Sequence, residues 1–238
     1  MSQAEVYLDY AATAPLHPSA AIAVQRGQSL VGNPSSSHEA GRLAADALGA
    51  ARRSVARLLG FTPEEVVFTS GGSESDALAL WGTFAARGFS GHLVTTSIEH
   101  SAVLENARAL ADLGVEVTFV DPQPSGHIDA ADVGAALRPN TVLTSVMHAN
   151  NETGAIQPIE HIAALTRHAG VALHTDAVHT AGKLDLSALG ATLISVSAHK
   201  FGGPRGIGAL AVRDSHPLAA VIRGGAQESG LRAGTENV

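Results

Sequence analysis

Residues 192–212 read TLISVSAHKFGGPRGIGALAV. Two strand-like runs, Thr192–Ser197 and Ile207–Val212, flank a Gly-rich loop. A parallel return needs a crossover of about a dozen residues or more, usually a helix, and this loop is too short to hold one. The second run therefore pairs antiparallel to the first. Upstream the pattern differs. Strand-like runs at Val66–Thr69, His92–Thr96, Val115–Val120, Thr141–Met147 and Val171–Thr175 are mostly separated by helical blocks near Ser75–Arg87, Ala102–Leu113, Asp129–Leu137 and Ile159–Ala169. Strands alternating with helices predict an α/β fold, a mostly parallel sheet sandwiched by helices, with one antiparallel strand near the C-terminus. Ahead of the first strand, Pro18 opens a helix to about Val31. Ser37 can cap a long helix to Leu59 with Leu43, Ala47, Leu48, Ala51, Val55 and Leu58 on one face, and Gly60 suits its left-handed stop.

Composition narrows the class. The 238 residues are 45% hydrophobic and 16% charged, enough for one sizeable core and too apolar for disorder. A formal charge of −7 argues against a nucleic-acid partner. With no Cys, the chain has no disulfide, thiolate metal site or cysteine nucleophile. No apolar run reaches the roughly 18 residues of a membrane span. Met1–Pro18 lacks a basic region followed by an apolar block, so the expectation is a cytoplasmic protein without a membrane association. Twelve His are unusually many and call for an account.

In sheets of this kind ligands sit at the carboxyl ends of the strands. At the first such end, Thr69-Ser70-Gly71-Gly72-Ser73-Glu74-Ser75 leads into a helix, so backbone amides can approach an anion; the plainer reading is that Ser73 or Ser75 caps the helix. Asp176 closes its strand and needs a positive partner or several donors if buried, unless it is a helix cap. His179 follows three residues on. Lys200 directly follows the strand ending at Ser197, and only one other Lys, Lys183, exists. A lysine in such a cleft can lose proton affinity and attack a carbonyl, whereas most loop lysines are simply solvated. His100 can stack on a flat ligand or start a helix. Asn150 and Asn151 are turn formers as well as amide hydrogen-bonders. Together, an anion cradle, an acid, a Lys and a His at strand ends are the parts that pyridoxal 5′-phosphate requires.

The stretches YLDYAATAP, GNPSSSHEAGR, VVFTSGGSESD, HANNETGAIQPI, SVSAHKFGGPRGIGAL and GGAQESGLRAGTENV run in order from Tyr7 to Val238. In them the chain resembles the cysteine desulfurases of the class V aminotransferase group, fold-type-I pyridoxal phosphate enzymes. The resemblance implies an N-terminal segment over residues 1–14 and a cofactor-binding large domain over residues 15–238. It implies Lys200 as the lysine joined to the cofactor and Asp176 as the partner of its ring nitrogen. His100 would stack on the ring and assist proton transfer. Gly72, Ser73, Ser197 and His199 would hold the phosphate, and Asn151 would touch the cofactor or the substrate carboxylate. Thr235 would reach the phosphate of the other subunit, implying a homodimer. The implied reaction takes L-cysteine to L-alanine and passes sulfur as a persulfide to an acceptor protein, in iron–sulfur assembly or thiolation. His179 stands where the family pattern has Gln; a neutral imidazole can serve there and a protonated one would alter the ring's electronics. The family's small C-terminal domain, with its sulfur-accepting Cys, is not among these residues, so we expect a truncated chain unable to form the persulfide itself. Two other classes compete: a partner-dependent or non-catalytic binding module, and a metal-dependent hydrolase built from His100, His174, Asp176, His179 and His199. The latter lacks a His-Glu-x-x-His or comparable spacing.

Overall fold

A computed structural model describes residues 6–238. In chain order the elements are α1 (Pro18–Gln28), α2 (Glu39–Leu59), β1 (Val66–Thr69), α3 (Gly72–Ala85), β2 (His92–Thr96), α4 (Ser101–Asp112), β3 (Glu116–Val120), α5 (Ala130–Ala136), β4 (Thr141–Ser145), α6 (Ile159–His168), β5 (Ala172–Asp176), β6 (Leu193–Ser197) and β7 (Gly208–Val212). Among the described residues these strands form one sheet in the order β1-β7-β6-β5-β4-β2-β3. All the expected strands are present, within two residues at each end. β7 runs antiparallel to both neighbours, β6 and β1, and so lies inside the sheet. The remaining strands all point one way. No described helix is long and apolar enough to cross a membrane.

Consecutive strand residues bury on opposite faces, as a pleat requires. Val67, Leu93, Leu143, Leu193 and Leu210 join α3 and α4 in one core layer with Leu80, Phe84 and Leu110. Val66, Val94, Ile194 and Val196 join the other with Leu59, Ile159, Ile162 and Leu173. A sheet covered on both sides explains why its strands read as nearly continuous apolar runs.

α1 and α6 start at Pro18 and Ile159 as expected, but the start of α2 departs from expectation. α2 is capped by His38, whose Nδ1 accepts from the Gly41 amide at 3.2 Å, and Ser37 is not the cap. His17 and His100 cap α1 and α4 in the same way. The expected face of α2 is met in part: Val55 and Leu58 pack on the core, but its fully buried positions are others. Leu43 is 51% exposed and Ala51 is exposed, while Gly41, Ala44, Ala56 and Leu59 are buried. Small residues decide this: a Cβ on Gly41 would lie 2.2 Å from Ser36 O, and one on Gly32 1.8 Å from Ala40 O. The chain before α2 packs backbone to backbone against its first turn. α1 stops at Gln28, before the expected Val31, because Ser29 folds back onto Arg26 O through both its amide and its hydroxyl. Gly60 ends α2 at φ 71 as expected.

Half of the histidines now have structural roles. Beyond the three caps, His92 bridges Thr141 and Thr118, His174 bridges Ser145 and Ser195, and His148 meets Thr180, all at 2.8–2.9 Å.

Candidate functional site

Parallel strands bring their carboxyl ends to one edge of the sheet, and the singled-out residues gather there. After β1 the chain turns through Ser70 and Gly71 into α3. Gly71 has φ 156, and the start of β7 comes so close that a Cβ on Gly208 would lie 2.6 Å from the Gly71 backbone. A Cβ on Gly72 would meet Val178 Cγ2 at 2.8 Å. Gly72 and Gly208 thus sit where a Cβ would crowd its neighbours, and the first amides of a helix lack partners within it. Neither Ser73 nor Ser75 caps α3, whose N-cap is Gly71 without a side-chain bond. Ser75 turns inward onto Thr69 Oγ1 at 2.7 Å and Gly71 O at 3.1 Å, tying the turn, while Ser73 lines a cleft of about 400 Å³. Gly71, Gly72, Ser197, His199 and Arg205 share that cleft with Thr13.

β6 ends at Ser197, and a single 3₁₀ turn, Ala198–Lys200, follows. The N-terminal stretch lies across this turn. Lys200 Nζ donates to Ala11 O at 2.5 Å, His199 Nδ1 meets Thr13 Oγ1 at 3.1 Å, and the Ala14 amide donates to His199 O at 2.8 Å. Burial and, less, Lys183 lower the proton affinity of Lys200, while Asp176 and Asp9 oppose that effect.

Asp176 ends β5 and is buried, with Oδ1 accepting from the Val178 amide at 2.8 Å. Burial raises its pKa, against the Val178 amide and the charges of His100 and Lys200. Acid, lysine and His100 thus act electrostatically on one space. Beneath Asp176 lie two further acids. Glu99 accepts from Thr96 Oγ1 at 2.6 Å and the Met147 amide at 2.9 Å, and burial pushes it to about 8. Asp76, at 1% exposure, is raised well above the carboxylate range by burial and by Asp176, and its Oδ1 lies 3.5 Å from His174 Nε2. Burial holds His174 neutral, at about 3.

His179 is half-buried, and burial together with the nearby Lys200 and Lys183 lowers it to about 4. Its imidazole is therefore neutral at pH 7. His100 is exposed, with Nδ1 accepting from the Ala102 amide at 3.1 Å, which puts the proton of the neutral ring on Nε2. The paired Asn separate clearly. Asn150 is consumed by its own turn, taking the Glu152 and Thr153 amides and donating to Ile98 O, whereas half-buried Asn151 touches only its neighbour Glu152. Thr235 is exposed and does not line the cleft. Among the described residues no three His, Asp, Glu or Cys side chains converge as metal ligands. His174, in the candidate hydrolase set, has both ring nitrogens committed to serines.

Sequence reasoning missed Thr13, Arg205 and Asp76. Asp76, within the apolar face of α3, carried the clearest signal, since a buried acid there needs a reason.

A mostly parallel sheet with this turn, acid and lysine along one edge is the setting of a class-V aminotransferase. The Aminotransferase class-V family matches residues 6–238, and the chain belongs to that family. Within it, the chain is 44% identical over 238 residues to the cysteine desulfurase IscS of Dictyoglomus turgidum, taking in 98% of this chain and 60% of that one. It is 47% identical over 242 residues to the IscS of Anaeromyxobacter dehalogenans, covering 98% and 59%. The chain thus spans about 60% of the length of these relatives. Among solved structures, SspA in complex with cysteine superposes with a TM-score of 0.93 at 42% identity, over 98% of this chain and 69% of that one. DndA from Streptomyces lividans gives 0.86 at 40% identity, over 98% and 68%.

Proposed function

We propose that this chain is the pyridoxal 5′-phosphate-binding part of a cytoplasmic, homodimeric cysteine desulfurase, which converts L-cysteine to L-alanine and passes sulfur to an acceptor protein. The observation that carries the reading is Lys200, one of two lysines, half-buried on the turn after β6 with Asp176 as its counter-charge and the Gly71–Ser73 turn in the same neighbourhood. The donor set fits such a cofactor. The tight turn at Gly72, the Ser73 and Ser197 hydroxyls, His199 and the Arg205 guanidinium suit a phosphate. A buried carboxylate suits a protonated ring nitrogen, and a partly desolvated amine suits an aldehyde.

When bound, the cofactor supplies a ring that draws charge from the substrate's α-carbon. The protein's task is to hold and exclude. Asp176 stays charged most easily beside a cation, since its own burial disfavours ionisation. Neutral His179 can offer a hydrogen bond without adding charge. His100, fixed to the start of α4, presents Nε2–H and a flat face, and Asn151, whose amide bonds only the adjacent Glu152, can exchange that carboxylate for the substrate's. The thiol that accepts sulfur must come from outside these 238 residues, which contain no Cys. Arrangement as a homodimer would give exposed Thr235 a partner's cleft to reach.

Titration with pyridoxal 5′-phosphate tests the reading. A visible absorbance band should develop, persist in Lys183→Ala, vanish in Lys200→Ala, and change on adding L-cysteine. A band that L-cysteine leaves untouched while other amino acids alter it would overturn the substrate assignment.

A further inference from the structure

Glu74 follows Ser73 in the first turn of α3 and places a carboxylate beside the amides proposed to receive the cofactor's phosphate. Alone, that charge would repel a second anion. Both of its oxygens are taken. Oε2 accepts from the Ser70 amide at 2.8 Å, closing the turn, and Oε1 accepts from Nε of Arg232 at 2.8 Å. Burial would raise the Glu74 pKa, but the bonds from Arg232 and Ser70 outweigh it and keep the group ionised.

Arg232 belongs to the stretch that leads to Thr235, and that stretch has a second anchor. Arg52 of α2 donates to both oxygens of buried Glu228, at 2.6 and 2.8 Å, and the Phe68 amide of β1 donates to the same carboxylate at 2.9 Å. Between the anchors, Glu228 and Ser229 hold φ of 48 and 57, a left-handed backbone that non-glycine residues rarely adopt. Two ion pairs of opposite polarity therefore pin this stretch, one to α2, where the Phe68 amide also ties Glu228 to the edge strand, and one to the cradle.

We propose that Arg232 is a positioning residue for the anion cradle. It neutralises Glu74 and fixes the Ser70–Ser73 turn, so that the first amides of α3 receive a phosphate instead of repelling it. The inference rests on reading the cradle as the site of the cofactor's phosphate.

The test compares dissociation constants for pyridoxal 5′-phosphate and for pyridoxal, whose ratio isolates the phosphate. Wild type should bind the phosphorylated form more tightly. Arg232→Gln should lose about tenfold of that preference, Arg232→Lys less, and pyridoxal binding should barely move. The double variant Glu74→Gln/Arg232→Gln should regain most of the loss, because the charge needing neutralisation is gone; it also serves if the single variant does not fold. An unchanged ratio in Arg232→Gln, or a double variant as impaired as that single one, would overturn the inference while leaving the cofactor reading intact. A wild type without preference for the phosphorylated form would overturn the cradle reading and this inference with it.

Discussion

Replacing Glu99 by Gln removes one titrating proton from the floor of the site and keeps the carbonyl oxygen that Thr96 Oγ1 and the Met147 amide use. Burial moves the Glu99 carboxyl from its ordinary 4.5 to about 8. The folded state then keeps a proton that the unfolded chain releases. A group raised in this way contributes stability fully below pH 4.5 and loses it as pH climbs toward 8. One proton is worth about 1.4 kcal/mol per pH unit, so between pH 5 and 8 wild type should lose about 3–4 kcal/mol relative to Glu99→Gln. The buried histidines act in the opposite direction. His174 at about 3 and His216 at about 4 cost stability as pH falls below 6.5, but they do so in both proteins and cancel in the difference. Urea unfolding followed by circular dichroism at pH 5, 6, 7 and 8 gives the two curves. Curves that stay parallel within about 0.5 kcal/mol, the usual scatter between well-behaved variants, would refute the reasoning.

Arg52→Met should cost about 3–5 kcal/mol in urea unfolding, because it leaves Glu228 charged and buried without its partner. Adding Glu228→Gln should recover part of that cost; a loss under 1 kcal/mol for the single variant would contradict the pairing. Gly208→Ala should destabilise by about 1–3 kcal/mol and weaken pyridoxal 5′-phosphate binding, since its Cβ would press on the Gly71 backbone, and calorimetry with a binding titration checks both. His179→Gln should leave the pH profile of cofactor binding unchanged between pH 5.5 and 8, because His179 is already neutral there. An inflection near 6.5 present only in wild type would contradict it.

How far the sequence could be read depended on how local each cause was. The strands were legible because both sheet faces are covered, so Val, Ile and Leu runs stand out between Gly and polar turns. β7's direction followed from loop length alone. The start of α2 is not legible, because His38 caps where Ser or Asp is usual; of its apolar face Val55 and Leu58 reach the core, while near the start contact runs through Gly41 and Ala44 and bypasses Leu43. Within the site, Lys200, Asp176 and the Gly71–Gly72 turn announced themselves by lying at or just past strand ends. Thr13 over His199, and Arg232 on Glu74, unite residues more than 150 positions apart, and no local pattern marks such contacts.

Lys200 is the amine proposed to take the cofactor's aldehyde. The direct measurement is borohydride reduction of the protein loaded with pyridoxal 5′-phosphate, followed by proteolysis and mass mapping of the two lysine-bearing peptides. The cofactor's mass should appear on the peptide containing Lys200 and not on that containing Lys183. Label on Lys183 alone, or on neither peptide while the cofactor is bound, would contradict it.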